Sequence, residues 1–574
     1  MTSLEAVTND TAFDQRIQAI QENDTSLDQN AARADLLLLA LQEGSSPNLL
    51  HYLKIADTLS HMGFISDAHY LCQEICANTP DASPTLPHYL KIADTLKILG
   101  FASDAQYLYQ QILQKNTAQD IVNSLTKRQA LFLLGVIAND MGDHKNADTI
   151  DQELLRLFPD NQEVWIYLLR HASDNPAKTP ADCKALAERW AKTIPIPRSH
   201  RPKARLHPDT PLRIGYVSGN FALHPVGLFL SGVLLAHDTQ RVQIFAYNTA
   251  ESTENPIEAI AKQCCTLRSV SSLNDDQLEA QIRADNIDVL VDLSGFTTNT
   301  RLPVFAREPA PVLLSWLGYW GTTGLSCFDG VLMDAWHAPE GTEADFVEPI
   351  VRLPNIRFCY QPLTEEPACA PNPPCVENGF ITFGCFNHTH KLNDDVIDVW
   401  ANILKQLPSS RLLLKWKTLR DRTLREHFCL AFELRGIDPQ RILFSGWSSI
   451  HAMLEEYAKV DIALDPFPFG GGMTSCNALW MGVPLVTLSG NSPIGRQGEA
   501  ILSQIDLREL VAKSKEDYCS IALGLAANTD LLIALRQRLR LMMQASPLMD
   551  VDTFTRNLET TYETLFEKRA RMDA

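Results

Sequence analysis

The 574-residue sequence has no C-x-x-C pair, no surplus of basic residues and no apolar run near the ~20 residues that a membrane-spanning helix requires. Its 13 cysteines are odd in number and scattered. Cys72 and Cys76 are four apart and Cys264 and Cys265 are adjacent, and neither spacing suits zinc. They read as ordinary thiols of a reducing compartment. Lys and Arg total 50 against 69 Asp and Glu, a formal charge of −19. Such a surface repels nucleic acid and anionic membrane unless its cations are segregated into a patch, so a generic nucleic-acid binder is disfavoured. The opening MTSLEAVTNDTAFDQR lacks the charged-then-apolar order of a signal peptide. The expectation is a cytoplasmic protein without a membrane span.

What is present begins with a repeat. HYLKIADTLSHMGFISDAHYLCQEI starts at His51, and a nearly identical copy starts at His88. A diverged third copy runs from Ala130. Aligning Ala68, Ala105 and Ala147 brings Gly63, Gly100 and Gly142 into register, followed by Ile75, Ile112 and Leu154; Pro80 and Pro159 close the first and third copies. Small residue, turn glycine, apolar stripe and terminal proline in this order resemble tetratricopeptide repeats. We expect a helical arm over residues 1–193. Stacked repeats form curved surfaces, so the arm reads as a holder of an acceptor polypeptide or, equally, as a packing and homodimer surface. No catalytic group is expected on it, and its removal should spare the chemistry on the donor side.

A basic, proline-rich stretch, residues 194–211, interrupts helix and reads as a linker. Beyond it the pattern changes to short β-branched runs separated by amphipathic stretches. Runs at 212–218, 242–247, 287–293 and 312–317 predict buried parallel strands of a first half, residues 212–364. Proline-rich residues 365–379 form a connector. Runs at 380–386, 411–415, 441–444, 460–464 and 483–488 predict a second half, residues 380–574. Two such arrays suggest Rossmann-like halves facing a cleft, with chemistry in the loops after the strands.

The most informative loop is DPFPFGGGMTSCNALW, following the run at 460–464. Gly470, Gly471 and Gly472 permit close backbone approach, and Thr474 and Ser475 suit a helix start. Free amides and the helix dipole there would attract an anion. It is neither a Walker loop, since no Gly-Lys-Thr follows, nor a G-x-G-x-x-G on a first strand. Lys391, ahead of a helix that Asn393 should cap, offers a cation from the opposite side, with Asn387 and His388 at the same cleft edge. In the first half, His224 follows the opening strand and is the side chain suited to move a proton near neutral pH. Tyr319, Trp320, Gly321 and Thr322 suit a weak sugar or peptide platform and, equally, a packed turn.

RIGYVSGNFALHP, IDVLVDLSGFT, REPAPVLLSWLGYWGTTG, VRLPNIRFCYQP, FITFGCFNHTHKLN, DPFPFGGGMTSCNALWMGVPLVT and MQASPLMD together resemble glycosyltransferase family 41. These are the protein O-glycosyltransferases that include O-GlcNAc transferase and SPINDLY. The resemblance implies a GT-B catalytic region behind the arm. It implies inverting transfer without metal or other cofactor, from a nucleotide sugar, foremost UDP-GlcNAc, to Ser or Thr of an acceptor protein. GDP-fucose transfer, adhesin- or flagellin-type transfer including transfer to Asn, and a catalytically weak scaffold are the alternatives. By motif position, Lys391 matches the diphosphate lysine, and Thr474 with Ser475 the phosphate ligands after Gly471 and Gly472. His224 matches a base candidate, and Asn387 with His388 a donor-contacting pair. Two positions depart from the family: Asn477 stands where an acidic ribose ligand is expected, and Met473 where a threonine is expected.

Overall fold

The structure is a computed structural model that describes residues 102–114, 121–195, 200–205, 210–362 and 366–574, with Ile55, Leu90 and residues 92–94, 96 and 97. Most of the first two repeat copies, with Gly63, Ala68, Ile75, Pro80 and Gly100, lies outside the described residues.

The described arm comprises α1 (Ala102–Gln114), α2 (Ile121–Asp140), α3 (His144–Leu157), α4 (Gln162–Asp174) and α5 (Pro180–Ala191). Successive helices pack on one another. Ala105, Ala147, Ile112 and Leu154 of the repeat pattern are all buried, as small and apolar residues at helix crossings should be. Gly142 turns the chain from α2 to α3 with φ +74, a conformation that disfavours any side chain. Asp143 then caps α3 by accepting from the Asn146 N–H. At α5 a reciprocal cap between Thr179 and Asp182, with Pro180 first in the helix, fixes the start.

The first sheet contains β1 (Leu212–Ser218), β2 (Val242–Asn248), β3 (Thr266–Ser269), β4 (Val289–Asp292), β5 (Val312–Ser315), β6 (Gly330–Met333) and β7 (Ile350–Arg352), in the order β3-β2-β1-β4-β5-β6-β7. The second contains β8 (Thr382–Cys385), β9 (Arg411–Lys415), β10 (Ile442–Ser445), β11 (Ile462–Leu464), β12 (Leu485–Leu488) and β13 (Val511–Ala512), in the order β10-β9-β8-β11-β12-β13. Every pairing is parallel. Each order reverses beside its first strand, so loops from β1 and β4, and from β8 and β11, open into a crevice. This is the GT-B arrangement. Strands β3, β6, β7 and β13 escape the sequence pattern because they are two to four residues long and three of them carry charge, glycine or partial exposure.

The last helix, assigned by sequence to the second half, packs on the first. Val551–Asp573 (called α9 below) buries Phe554, Leu558, Tyr562 and Phe566, one residue every four, as a single apolar stripe. Glu559 meets His237 Nδ1 at 2.9 Å, Arg241 reaches Glu563 at 2.6 Å, and the Tyr562 and Tyr216 hydroxyls lie 3.2 Å apart. The linker is likewise anchored: Arg201 pairs with Glu308 at 2.9 Å and Asp329 at 2.7 Å, and Ala204 N–H donates to Asp573. Among the described residues no single helix is long and apolar enough to cross a membrane.

Candidate active site

The crevice side of the second sheet is built by two loops. After β8 the chain passes Asn387, His388 and Lys391 and enters α7 (Asp394–Gln406), which Asn393 caps by accepting from Val396 N–H. After β11 it passes Asp465 and the glycines into α8 (Met473–Trp480). Asn393 Nδ2 donates to Phe467 O at 2.8 Å and ties the loops together.

Lys391 stands between them. Its Nζ donates to Asn387 Oδ1 at 3.1 Å and to Gly470 O at 2.9 Å, and lies 3.8 Å from the Phe469 ring centroid. An ammonium has three protons, so one remains for a ligand. Burial pushes its pKa down to about 8, against the opposing pull of the Asp465 and Asp174 carboxylates. Beside it, α8 (N-cap Gly472) begins with no side-chain cap, so its first amides have no capping side chain. Thr474 Oγ1 donates to Asn387 Oδ1 at 2.9 Å, so lysine, asparagine and threonine form one polar array.

Sequence reasoning missed the residue that shapes this loop. Asp465, fully buried, accepts from Gly471 N–H at 2.7 Å and from Thr487 Oγ1 at 2.9 Å, with Ser475 Oγ at 3.4 Å. The glycines are required by this packing. A Cβ on Gly470 would meet Asp465 Oδ2 at 2.8 Å, and one on Gly471 would meet Ser475 Oγ at 2.3 Å. An acidic residue directly after a buried strand, six before the loop's amide, was the available signal. Ser475, read from sequence as a phosphate ligand, turns its hydroxyl inward to Asp465.

Asn477 is buried, and its Oδ1 accepts from the Tyr360 hydroxyl at 3.1 Å. The acceptor atom expected to meet a ribose is thus engaged within the protein. Met473 is the first residue of α8. Just past the carboxyl end of β10, Trp447 is exposed beside Trp416 and Lys417; nothing in the sequence reading singled it out.

From the first half, His224 caps α6 (Pro225–Ala236) at the crevice edge, with Nδ1 accepting from Val226 N–H at 3.3 Å. The residue is exposed at the crevice edge, and desolvation there, then the Arg170 guanidinium, push its pKa down to about 4. The ring is therefore neutral near pH 7, and with Nδ1 committed as acceptor its proton sits on Nε2. With Nδ1 capping the helix, Nε2 is the ring atom left to face the crevice. The Tyr319–Thr322 turn divides. Tyr319 is buried edge-on against Phe296 at 5.2 Å, and Thr322 is buried against Glu348, so both belong to a packed turn. Gly321 lies against the Tyr319 ring. Only Trp320 reaches the crevice, where its ring meets Phe469 at 5.0 Å and its buried Nε1–H has no partner among the described residues.

The arm packs against this site. A Cβ on Gly142 would meet Leu392 O at 2.7 Å, so the turn between α2 and α3 rests on the backbone just after Lys391. His388 faces Asp140 and His390 faces Asp174, each at 3.7 Å. Burial first, and then neighbouring cations, hold both imidazoles well below their ordinary pKa. Trp190 of α5 packs edge-on against Phe296 of the first half at 4.8 Å.

Two parallel sheets on either side of a crevice, with a lysine beside an uncapped helix start at its edge, define a GT-B region. Residues 186–361 and 375–558 match the family model "Glycosyl transferase family 41", and the chain belongs to that family. It is similar to tomato (Solanum lycopersicum) SPINDLY, described as a probable UDP-N-acetylglucosamine–peptide N-acetylglucosaminyltransferase, with 36% identity over 63% of this chain and 39% of that protein. The Arabidopsis thaliana relative SEC, of like description, is 28% identical over 67% of this chain and 40% of its own length. The chain thus spans about two fifths of the length of these curated relatives. A solved mutant O-GlcNAc transferase from Thermobaculum terrenum superposes with a TM-score of 0.80 at 30% identity, covering 92% of this chain and 98% of that one.

Proposed function

We propose that the protein transfers a sugar, foremost GlcNAc from UDP-GlcNAc, to Ser or Thr hydroxyls of acceptor polypeptides in the cytoplasm, with inversion at the anomeric carbon and without a metal. The reading is carried by one observation, the convergence of Lys391 Nζ and the uncapped start of α8 on the same point of the crevice. Cleavage of the anomeric C–O bond leaves a nucleoside diphosphate with growing negative charge. Lys391, the α8 amides and the Thr474 hydroxyl interact with that charge more strongly in the transition state than in the ground state. They supply the positive potential that a divalent ion supplies in other transferases. Trp320 Nε1–H and His224 Nε2–H offer donors to the sugar or the leaving oxygen. The names of the family relatives support a peptide acceptor, and the arm's position beside the donor loop supports delivery of that peptide over the donor.

The test is incubation of the full chain with a panel of UDP- and GDP-sugars and candidate acceptor proteins, read by intact mass. The expected result is a sugar-sized increment on Ser or Thr, dependent on Lys391. An increment matching deoxyhexose from GDP-fucose, or one placed on Asn, would replace the donor or acceptor assignment. Donor binding without turnover under every condition would leave a scaffold, the reading favoured by the engagement of Asn477 with Tyr360.

A further inference from the structure

The repeat arm and the catalytic halves enclose a groove whose charge is unlike that of the rest of the chain. One cavity, about 420 Å³, lies between α2 and α4 and the loops after β8 and β9. A second, about 590 Å³, lies between the same helices and residues 296–300 of the first half. The two share Phe132, Tyr167 and Arg170, and so lie side by side along one trough. Lys97, Arg170, Lys417 and Arg420 line the first cavity, and among the described residues Asp140 is the one carboxylate in its lining. In the second, Arg128 and Glu163 neutralise each other at 3.2 Å.

Asp140, His388 and His390 bring ligand atoms within 4.8 Å of one another, the spacing of a metal set. The field around them argues against a dication, because Lys417, Arg170, Lys391 and Lys97 all act on His388. The charge favours an anion. Arg170 and Lys417 are exposed to the trough, and among the described residues neither forms an ion pair; Arg420 only lies over Trp447, at 5.5 Å. The donor diphosphate is already accounted for by Lys391 and α8. In a chain of net charge −19, four cations facing one carboxylate are the segregated patch that the composition permits.

We infer that this trough is the acceptor channel and that it selects polypeptides carrying Asp or Glu beside the modified hydroxyl, with Arg170 and Lys417 holding the carboxylates. Arg170 is the pivot, since it lines both cavities. Thr297, Thr298, Asn299 and Thr300 line the far wall with side-chain hydrogen-bonding groups suited to an extended backbone. The inference rests on the transferase reading above, and its test is separable from that reading.

Two labelled serine peptides, identical except that Asp and Glu in one are Asn and Gln in the other, are titrated with the full chain in the presence of UDP. The acidic peptide should bind about tenfold more tightly, with an affinity that falls as salt is raised. The double variant R170E/K417E should abolish that preference and favour a lysine-bearing peptide. Equal binding of the two peptides to the unaltered chain overturns the inference, whether or not sugar is transferred. The transferase reading is judged independently, by nucleoside diphosphate release from the donor panel.

Discussion

At the scale of single residues, the site works through burial of polar groups that hold one another in place. Lys391 has a pKa near 8 because burial outweighs two nearby carboxylates. Only its protonated form attracts a diphosphate, so nucleoside diphosphate affinity should fall as pH rises through about 8. In K391R the fall should vanish, since a guanidinium stays charged. In K391A affinity should drop about tenfold to a hundredfold at pH 7. Calorimetric titration between pH 6 and 9 checks all three. His224 gives a second separation of roles. Because its Nδ1 caps α6, H224A should lose about 1 kcal/mol of stability in thermal unfolding. H224N should keep the cap, since asparagine is a good capping residue, but lose turnover with the Nε2 donor. With a folded pKa near 4, below the ordinary value, His224 resists protonation in the native state. Its contribution to stability is present at neutral pH and is lost as pH falls from about 6.5 toward 4.

At the scale of elements, the legible part of the sequence was the part governed by local chemistry. Buried strands β1 and β9 match their apolar runs end to end, and Asn393 and Gly142 do what cap and turn residues do. The helix start after the glycine loop was legible because it is a local property. Contacts between distant segments were not legible. Asp465 looked like any acidic loop residue until Gly471 N–H and Thr487 were seen on either side of it. The Tyr360–Asn477 hydrogen bond spans 117 positions, and Tyr319 turned inward because Gly295 leaves room for its ring. The stripe of α9 was visible as a four-residue spacing, but the sheet it would cover was not. Gly142 joins both kinds of information. G142A places a Cβ against Leu392 O in a left-handed backbone, which should cost about 1–3 kcal/mol. Donor affinity should fall with it although residue 142 is not assigned to the donor site, and thermal unfolding with and without nucleoside diphosphate measures both effects.

At the scale of the whole molecule, the arm, the two sheets and α9 are interlocked. α9 clamps the end of the chain onto the first half, Arg201 anchors the segment leaving the arm, and α5 packs on Phe296. The Lys391 loop lies between the second sheet and the α2–α3 turn, so the arm supports the donor site as well as forming one wall of the trough. Removal of residues 1–194 should therefore weaken nucleoside diphosphate binding along with protein modification, against the simpler expectation of an independent acceptor arm. The account stands or falls on where the diphosphate goes. A crystal structure of the full chain with a nucleoside diphosphate should show phosphate oxygens within hydrogen-bonding distance of Lys391 Nζ and of the first amides of α8. Phosphates seated elsewhere, with both groups still bound only to their own neighbours, would contradict it.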